Sequence, residues 1–146
     1  MDVEVNYSHS FEADDNLFYA STHQSPLYPG TGLASETGVG NIVNVPLRPM
    51  SGSVPFRLAM TGRVLPALDA FRPDLLLISA GFDAHRSDPL AQLMLDEADY
   101  TWITEKLLEI ANRHADGRIV STLEGGYDLT ALAASAAAHV RVLMSV

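Results

Sequence analysis

The sequence contains no cysteine and a single lysine, Lys106, among only nine basic residues. The missing cysteine excludes disulfide bonds, thiolate zinc sites and thiol nucleophiles, so any metal site must use His, Asp or Glu. Eighteen acidic residues give a formal net charge of −9. Because an acidic surface repels phosphate, we expect no nucleic-acid partner.

Long apolar runs are also missing, and none approaches the roughly 20 residues that a membrane-spanning helix needs. The first residues, Met1 to Glu4, lack the basic and apolar regions of a signal peptide. We therefore expect no membrane association and a cytoplasmic location. With 146 residues and 47% hydrophobic residues, the chain is expected to form one domain over residues 1–146.

Strand and helix patterns alternate along the chain, which predicts an α/β domain with a parallel sheet. Strands are expected at 17–22, 42–45, 75–79 and 119–123, with Pro46 ending the second. Helices are expected from an N-cap at Ser53 to Phe71, after an N-cap at Asp96, and over 129–143. The continuous apolar run Leu75–Ile78 is typical of a strand buried on both faces, and Ile119–Leu123 is also expected to be an interior strand. Pro66 predicts a bend in the first helix.

Ligands of parallel sheets bind at the carboxyl ends of strands. Asp83 lies in the segment 79–90 that follows the third strand, where it either faces a pocket or caps a turn. His85 could join Asp83 as a metal ligand, although an ordinary loop histidine is the simpler interpretation.

The segment 124–128 follows the fourth strand and contains Gly125, Gly126 and Tyr127. The two glycines allow close approach of a ligand to the backbone. The phenol of Tyr127 could donate to a developing oxyanion, or its ring could pack over the sheet edge. Tyr28, in the long loop 23–41, either walls a pocket or belongs to a structural turn.

Together these segments resemble the histone deacetylase family, which includes the bacterial acetylpolyamine amidohydrolases and acetoin-utilisation proteins. The resemblance covers roughly residues 11–146. The matching motifs occur in the family's order: Ala20 to Gly32, Gly40 to Leu47, Arg72-Pro73-Asp74, Ser79 to His85, Asp88-Pro89-Leu90 and Leu123 to Leu129.

The resemblance implies an arginase-like, three-layer α/β fold with a mostly parallel sheet flanked by helices. It also implies hydrolysis of an N-acetyl amide on lysine or a polyamine. In the family, one zinc ion is bound by two aspartates and a histidine, a tandem histidine pair acts as acid and base, and a tyrosine stabilises the oxyanion.

The resemblance assigns the family's roles to those residues of this sequence that match its motifs. The resemblance implies Asp83 and Asp2 as zinc ligands, Tyr127 as the catalytic tyrosine, Gly125, Gly126 and Tyr28 as substrate-binding residues, and Ser21 and Thr22 as part of a potassium site. Glu4 stands where the family's zinc histidine belongs. His85 matches a position common in bacterial members that is not a zinc ligand.

The chain matches the C-terminal half of a family domain about twice as long, and it contains no adjacent histidines. We therefore expect it to be inactive alone. One hypothesis is a deacetylase unit that acts on an acetylated amine once a complementary half supplies the histidine pair. The alternative is a truncated, non-catalytic binding or assembly module. Because truncation exposes apolar surface, we also expect a homodimer whose interface involves residues 1–22.

Overall fold

The computed structural model describes residues 12–27 and 30–145. It contains four strands: β1 (Tyr19–Gln24), β2 (Ile42–Leu47), β3 (Leu76–Ala80) and β4 (Ile119–Leu123). The helices are α1 (Ser53–Ala59), a π-helical segment (Met60–Val64), α2 (Leu65–Phe71), α3 (Glu97–His114) and α4 (Leu129–Leu143). The predicted alternation of strands and helices is confirmed.

All described strand pairs are parallel, as expected for this α/β class. β1 pairs with β2, with Tyr19 opposite Ile42, and β3 pairs with β4, with Leu76 opposite Ile119. Within the described ranges these are two separate two-stranded sheets rather than one continuous sheet.

Strand β2 continues through Pro46, so the prediction that Pro46 ends this strand is wrong. The backbone N–H groups of Tyr19 and Ser25 donate to the carbonyls of Asn41 and Leu47. In a parallel ladder, alternate residues of a strand bond to one neighbour. The even-numbered Pro46 therefore turns its backbone nitrogen away from β1, where no donor is needed.

The first helix covers the predicted range, but its N-cap is Gly52 rather than Ser53. The Ser53 hydroxyl instead donates to the Asp99 carboxylate of α3 at 2.7 Å. The π-helical segment Met60–Val64 comes just before Pro66. A π-helical turn is one of the regular ways in which a helix accommodates a break in its hydrogen-bond ladder.

Each of the other two helices begins at the residue that the sequence predicts, and a side chain caps its first turn. Asp96 caps α3 with a complete capping box, in which the Asp96 side chain accepts from Ala98 N–H and the Asp99 side chain accepts from Asp96 N–H. Asp128 caps α4 by accepting from Ala131 N–H at 2.7 Å.

The core lies where the helices pack on the strands. One buried cluster joins β2, the first helical region and the loop after β3, with Phe56, Met60, Phe82 and Tyr100 among its members. A second cluster joins α2, α3 and β3 through Leu68, Leu76, Ile110 and Ala111.

The described residues cover only one face of the β3–β4 pair. Leu76 and Ala80 point into the core and are buried. On the opposite face, the paired residues Leu77 and Val120 are 69% and 55% exposed. Within the described part of the chain, the prediction that these strands are buried on both faces is therefore wrong.

Candidate active site

The loops that follow β3 and β4 meet at the carboxyl ends of the two strands. Phe82 N–H donates to the Gly125 carbonyl at 2.8 Å, and Glu124 N–H donates to the Ala80 carbonyl at 3.1 Å. This pairing extends the parallel register past the strand ends. It brings together the two segments that the sequence marked as candidate ligand-binding loops.

Asp83 lies directly against the glycine turn. A Cβ atom at position 125 would come within 2.8 Å of Asp83 Cγ, and one at position 81 within 3.1 Å of Asp83 Oδ1. Gly125 is therefore required by this close approach rather than by an unusual backbone angle. Burial raises the pKa of the Asp83 carboxyl above its usual range, and the negative charge of Asp88 adds to the effect.

Tyr127 is positioned through its backbone by Asp88. The Oδ2 atom of Asp88 accepts from Tyr127 N–H at 2.8 Å, while Oδ1 accepts from Leu90 N–H at 2.9 Å and Ala91 N–H at 3.2 Å. One carboxylate thus fixes its own loop and the tyrosine loop together. Tyr127 itself is 41% exposed.

Gly126, at φ 137°, has the backbone conformation that favours glycine. A Cβ atom there would lie 2.9 Å from Leu132 Cδ1 and 3.2 Å from Phe82 Cβ. The turn that presents Tyr127 therefore packs tightly on α4 and on the β3 loop.

His85 is buried, and its two ring nitrogens are directed at Ser87 of its own loop and at Glu97 of α3. Its Nδ1 accepts from Ser87 N–H at 3.1 Å, so Nε2 carries the proton, and Nε2 lies 3.6 Å from Glu97 Oε1 on α3. This arrangement fits the interpretation of His85 as a structural loop histidine.

The predicted potassium residues, Ser21 and Thr22, lie in the middle of β1 rather than at its end. The Ser21 hydroxyl is bonded to His23 Nδ1 at 3.0 Å. His23 Nε2–H donates to the Gly32 carbonyl at 3.0 Å, so Nδ1 is the acceptor of the Ser21 proton. No structural feature tests the potassium prediction. Asp2 and Tyr28 lie outside the described residues.

Two contacts of the candidate residues and their loops are not predicted by the sequence. The contact of Asp88 with Tyr127 has only a weak local signal, since an Asp followed by Pro is a common way to begin a side-chain-capped turn. The contact of His23 with Gly32 had no local signal, because it depends on the fold of the intervening loop.

A zinc site is not complete within the described residues. They contain no group of three His, Asp or Glu side chains placed to hold a metal ion. Asp83 offers a single buried carboxylate, whereas catalytic zinc sites use three protein ligands. The described residues alone therefore do not provide the three protein ligands that a zinc ion needs.

The protein is thus an α/β domain that carries a carboxylate and a glycine-tyrosine turn at the ends of two parallel strands. The model of the histone deacetylase domain matches residues 7–143. The chain therefore belongs to the histone deacetylase family.

Relatives of this family occur in bacteria and plants. The chain is 42% identical to an uncharacterised protein of Synechocystis over 99% of the chain and 47% of that protein. It is 37% identical to histone deacetylase 14, chloroplastic, of Arabidopsis thaliana, over 99% of the chain and 36% of that protein. It is 35% identical to a histone deacetylase-like amidohydrolase of Pseudomonas aeruginosa, over 87% of the chain and 36% of that protein.

Solved structures show the same relationship. The HDA15 HD domain superposes with a TM-score of 0.85 at 39% identity, over 92% of this chain and 39% of that chain. The histone deacetylase Clr3 superposes with a TM-score of 0.88 at 34% identity, over 95% of this chain and 24% of that chain. The chain thus spans less than half the length of each of these proteins. No described helix is long and apolar enough to cross a membrane.

Proposed function

We propose that this chain carries one part of the active site of a zinc-dependent deacetylase that hydrolyses the N-acetyl amide of an acetylated lysine or polyamine. The observation that carries the proposal is the meeting of Asp83, Gly125 and the Tyr127 loop at the ends of β3 and β4. Family membership adds the reaction class.

In this proposal the chain's residues have distinct tasks. The Asp83 carboxylate is one zinc ligand, and the hydroxyl of Tyr127 donates to the oxyanion that forms when the acetyl carbonyl is attacked. The backbone of Gly125 and Gly126 borders the acyl group, while the space that their side chains would take is filled by Asp83, Leu132 and Phe82. Asp2 as a second ligand, Tyr28 as a wall of the substrate channel, and potassium at Ser21 and Thr22 are further parts of the proposal.

Zinc, when bound, supplies a Lewis acid and an activated water. The remaining ligands and the acid–base pair must come from outside the described residues, since no two histidines of the sequence are adjacent. General acid–base catalysis contributes roughly 10²- to 10⁴-fold. We therefore propose that the chain alone does not deacetylate. A cytoplasmic location is also part of the proposal.

The test is hydrolysis of an acetyl-lysine peptide by a fusion. In this fusion the N-terminal part of the Pseudomonas aeruginosa amidohydrolase, up to the matched stretch, precedes residues 1–146 of this chain. We expect turnover by the fusion, none by the chain alone, and a loss of at least tenfold in kcat for Tyr127→Phe. Turnover that is unchanged by Tyr127→Phe would contradict the proposal.

A non-catalytic binding module is the second candidate, favoured by the exposed apolar face of β3 and β4. It predicts association with a partner and no turnover in any combination. The same fusion experiment separates the two functions.

A further inference from the structure

Phe82 lies between the two loops of the candidate active site. Its backbone N–H donates to the Gly125 carbonyl at 2.8 Å, which joins the loop after β3 to the loop after β4. Its side chain is buried, and a Cβ atom at Gly126 would come within 3.2 Å of Phe82 Cβ. A change in the position of Phe82 therefore moves the next residue, Asp83, and the glycine-tyrosine turn together.

Tyr100, near the start of α3, contacts Phe82 in two ways. Its hydroxyl donates to the Phe82 carbonyl at 3.2 Å in a buried position. Its ring meets the Phe82 ring edge to face, with 5.0 Å between the centroids and 71° between the planes. Helix α3 thus contacts both the backbone and the side chain of the residue that links the two loops.

The hydrogen bond from Tyr100 restrains the direction of Asp83. The Phe82 carbonyl belongs to a planar peptide unit that also contains the nitrogen and Cα atoms of Asp83. A donor on this carbonyl therefore limits the rotation of the whole unit, and with it the direction in which the Asp83 side chain leaves the backbone. The carboxylate tolerates little displacement, because it lies directly against Gly125.

The Phe82 carbonyl does not need the Tyr100 hydroxyl as its hydrogen-bond partner. The backbone N–H of His85 already donates to the same oxygen at 3.2 Å. A phenylalanine at position 100 would fill the same space in the core without placing a polar group there. The second donor comes from another element of the fold, so its effect is to tie the loop after β3 to α3.

The start of α3 is a rigid base for this contact. Asp96 and Asp99 form its capping box, and Asp99 also accepts from Ser53 Oγ and Arg57 Nε of the first helix. The loop after β3 is bonded to the same end of α3, since Arg86 forms an ion pair with Asp96 at 2.6 Å. Side chains that are supported by a packed helix hold a site more precisely than those supported by a loop.

We propose that Tyr100 is a positioning residue of the candidate active site. It holds the peptide unit between Phe82 and Asp83, and through the bond from Phe82 to Gly125 it holds the turn that presents Tyr127. Tyr100 is only 7% exposed and acts through these residues rather than on the substrate. The proposal rests on the proposed function, because the Asp83 carboxylate and the Tyr127 hydroxyl are the groups whose placement it controls.

The first test is NMR-detected hydrogen exchange in the chain alone. Tyr100→Phe removes only the hydroxyl and keeps the ring in the core, so this variant is expected to fold. The matched control is Ser53→Ala, which also removes a hydroxyl bonded to α3, at Asp99, and leaves Phe82 untouched. We expect Tyr100→Phe to speed exchange at the Phe82 and His85 amides about three- to tenfold relative to the amides of β2. Ser53→Ala should leave this ratio unchanged.

The second test measures turnover by the fusion that contains this chain. Because the Tyr100 hydroxyl does not meet the substrate, Tyr100→Phe should lower kcat at least fivefold and leave KM within twofold of the wild-type value. Ser53→Ala should keep the wild-type kcat although it also lowers the melting temperature. A purely structural role would lower the melting temperature of both variants and change neither kcat nor the exchange ratio. That result would overturn the proposal.

The positioning role and the deacetylase function fail separately. A wild-type fusion without turnover contradicts the deacetylase function, and exchange in the chain alone then decides the role of Tyr100. Faster relative exchange at Phe82 in Tyr100→Phe supports positioning, and an unchanged ratio overturns it whatever the activity of the fusion. An active fusion whose kcat is unchanged by Tyr100→Phe overturns it as well.

Discussion

The carboxylate of Asp83 lies so close to Gly125 that a Cβ atom at position 125 would come within 2.8 Å of its Cγ. The two residues follow different strands, and the backbone bond from Phe82 N–H to the Gly125 carbonyl holds their loops together. The candidate active site is thus a tertiary arrangement whose parts constrain one another.

The first prediction concerns this contact. Gly125→Ala forces either the turn or Asp83 to move, and such overpacking costs about 1–3 kcal/mol of unfolding free energy. The control is Gly62→Ala in the π-helical segment, where a Cβ atom meets nothing within 4 Å. There we expect a gain of about 0.5–1 kcal/mol. Urea unfolding measures both, and equal effects would refute the contact.

The second prediction concerns the charge of Asp83. Because burial raises its pKa, the folded state holds this proton more tightly than the unfolded state. The stability that this proton contributes is fully present at pH values below 3.8, the pKa of the carboxyl in the unfolded state. It is lost as the pH rises through the higher pKa of the folded state. Asp83→Asn should therefore raise the melting temperature at neutral pH. The exposed Asp74→Asn should not, and a lower melting temperature for Asp83→Asn would contradict the prediction.

The third prediction concerns the ion pair between Arg57 of the first helix, which is 37% exposed, and the buried Asp99 of α3. Asp99 is 0% exposed and accepts from Ser53 Oγ at 2.7 Å and Arg57 Nε at 2.8 Å. Arg57→Met removes the cation but leaves the Ser53 donor on the buried carboxylate, so it should cost about 1–3 kcal/mol. Arg63→Met, on the exposed side of the same helical region, should cost little. The idea fails if the two variants unfold at the same urea concentration.

The fourth prediction concerns acid stability. Thr104 donates to the Tyr100 carbonyl, so its oxygen accepts from His139 Nδ1–H, and His139 Nε2 accepts from Ser121. Burial lowers the pKa of this neutral histidine below 6.5. On acidification the unfolded state therefore binds a proton at His139 before the folded state does. The stability that neutral His139 contributes is fully present above about pH 6.5, and it is lost as the pH falls through the folded-state pKa.

The measurement is urea unfolding at several pH values between about 5 and 8. The wild-type protein should lose stability on acidification, and His139→Gln should lose less over the same range. Identical pH dependence in the two proteins would show that His139 does not titrate on unfolding.

The fifth prediction concerns Asp88. Both of its oxygens accept backbone N–H groups, so the single acceptor oxygen of an amide cannot replace them. Asp88→Asn should therefore speed hydrogen exchange at the Tyr127 amide by on the order of tenfold. NMR-detected exchange checks this, with Asp74→Asn as the control. An unchanged rate at Tyr127 would show that Asp88 does not hold the loop.

Helix and strand positions could be predicted where the signal is local. The cap at Asp96, the limits of β4 and the range of α4 follow from side chains within a few residues of each boundary. The expected cap at Ser53 is wrong, because its hydroxyl donates to Asp99, which is 46 residues away in the sequence. The strand end expected at Pro46 is wrong, because the outward direction of its nitrogen depends on the register with β1, which has no local signal.

The site could be predicted only in part. The motifs located Asp83 and the glycine-tyrosine turn, and the parallel sheet implied that they meet. The Asp88 bridge and the His23–Gly32 contact could not be predicted, because they depend on how long loops fold back. The composition of β3 predicts that both of its faces are buried. The described residues pack against only one of these faces.

The central claim is that Asp83 is a ligand of a metal site completed by groups outside the described residues. Mass spectrometric metal analysis after extensive dialysis tests it most directly. The account predicts well under one zinc per chain for the isolated protein and one per molecule of the fusion, lost in Asp83→Ala but kept in Asp74→Ala. One equivalent of zinc held by the isolated chain, or zinc in the fusion that survives Asp83→Ala, would contradict it.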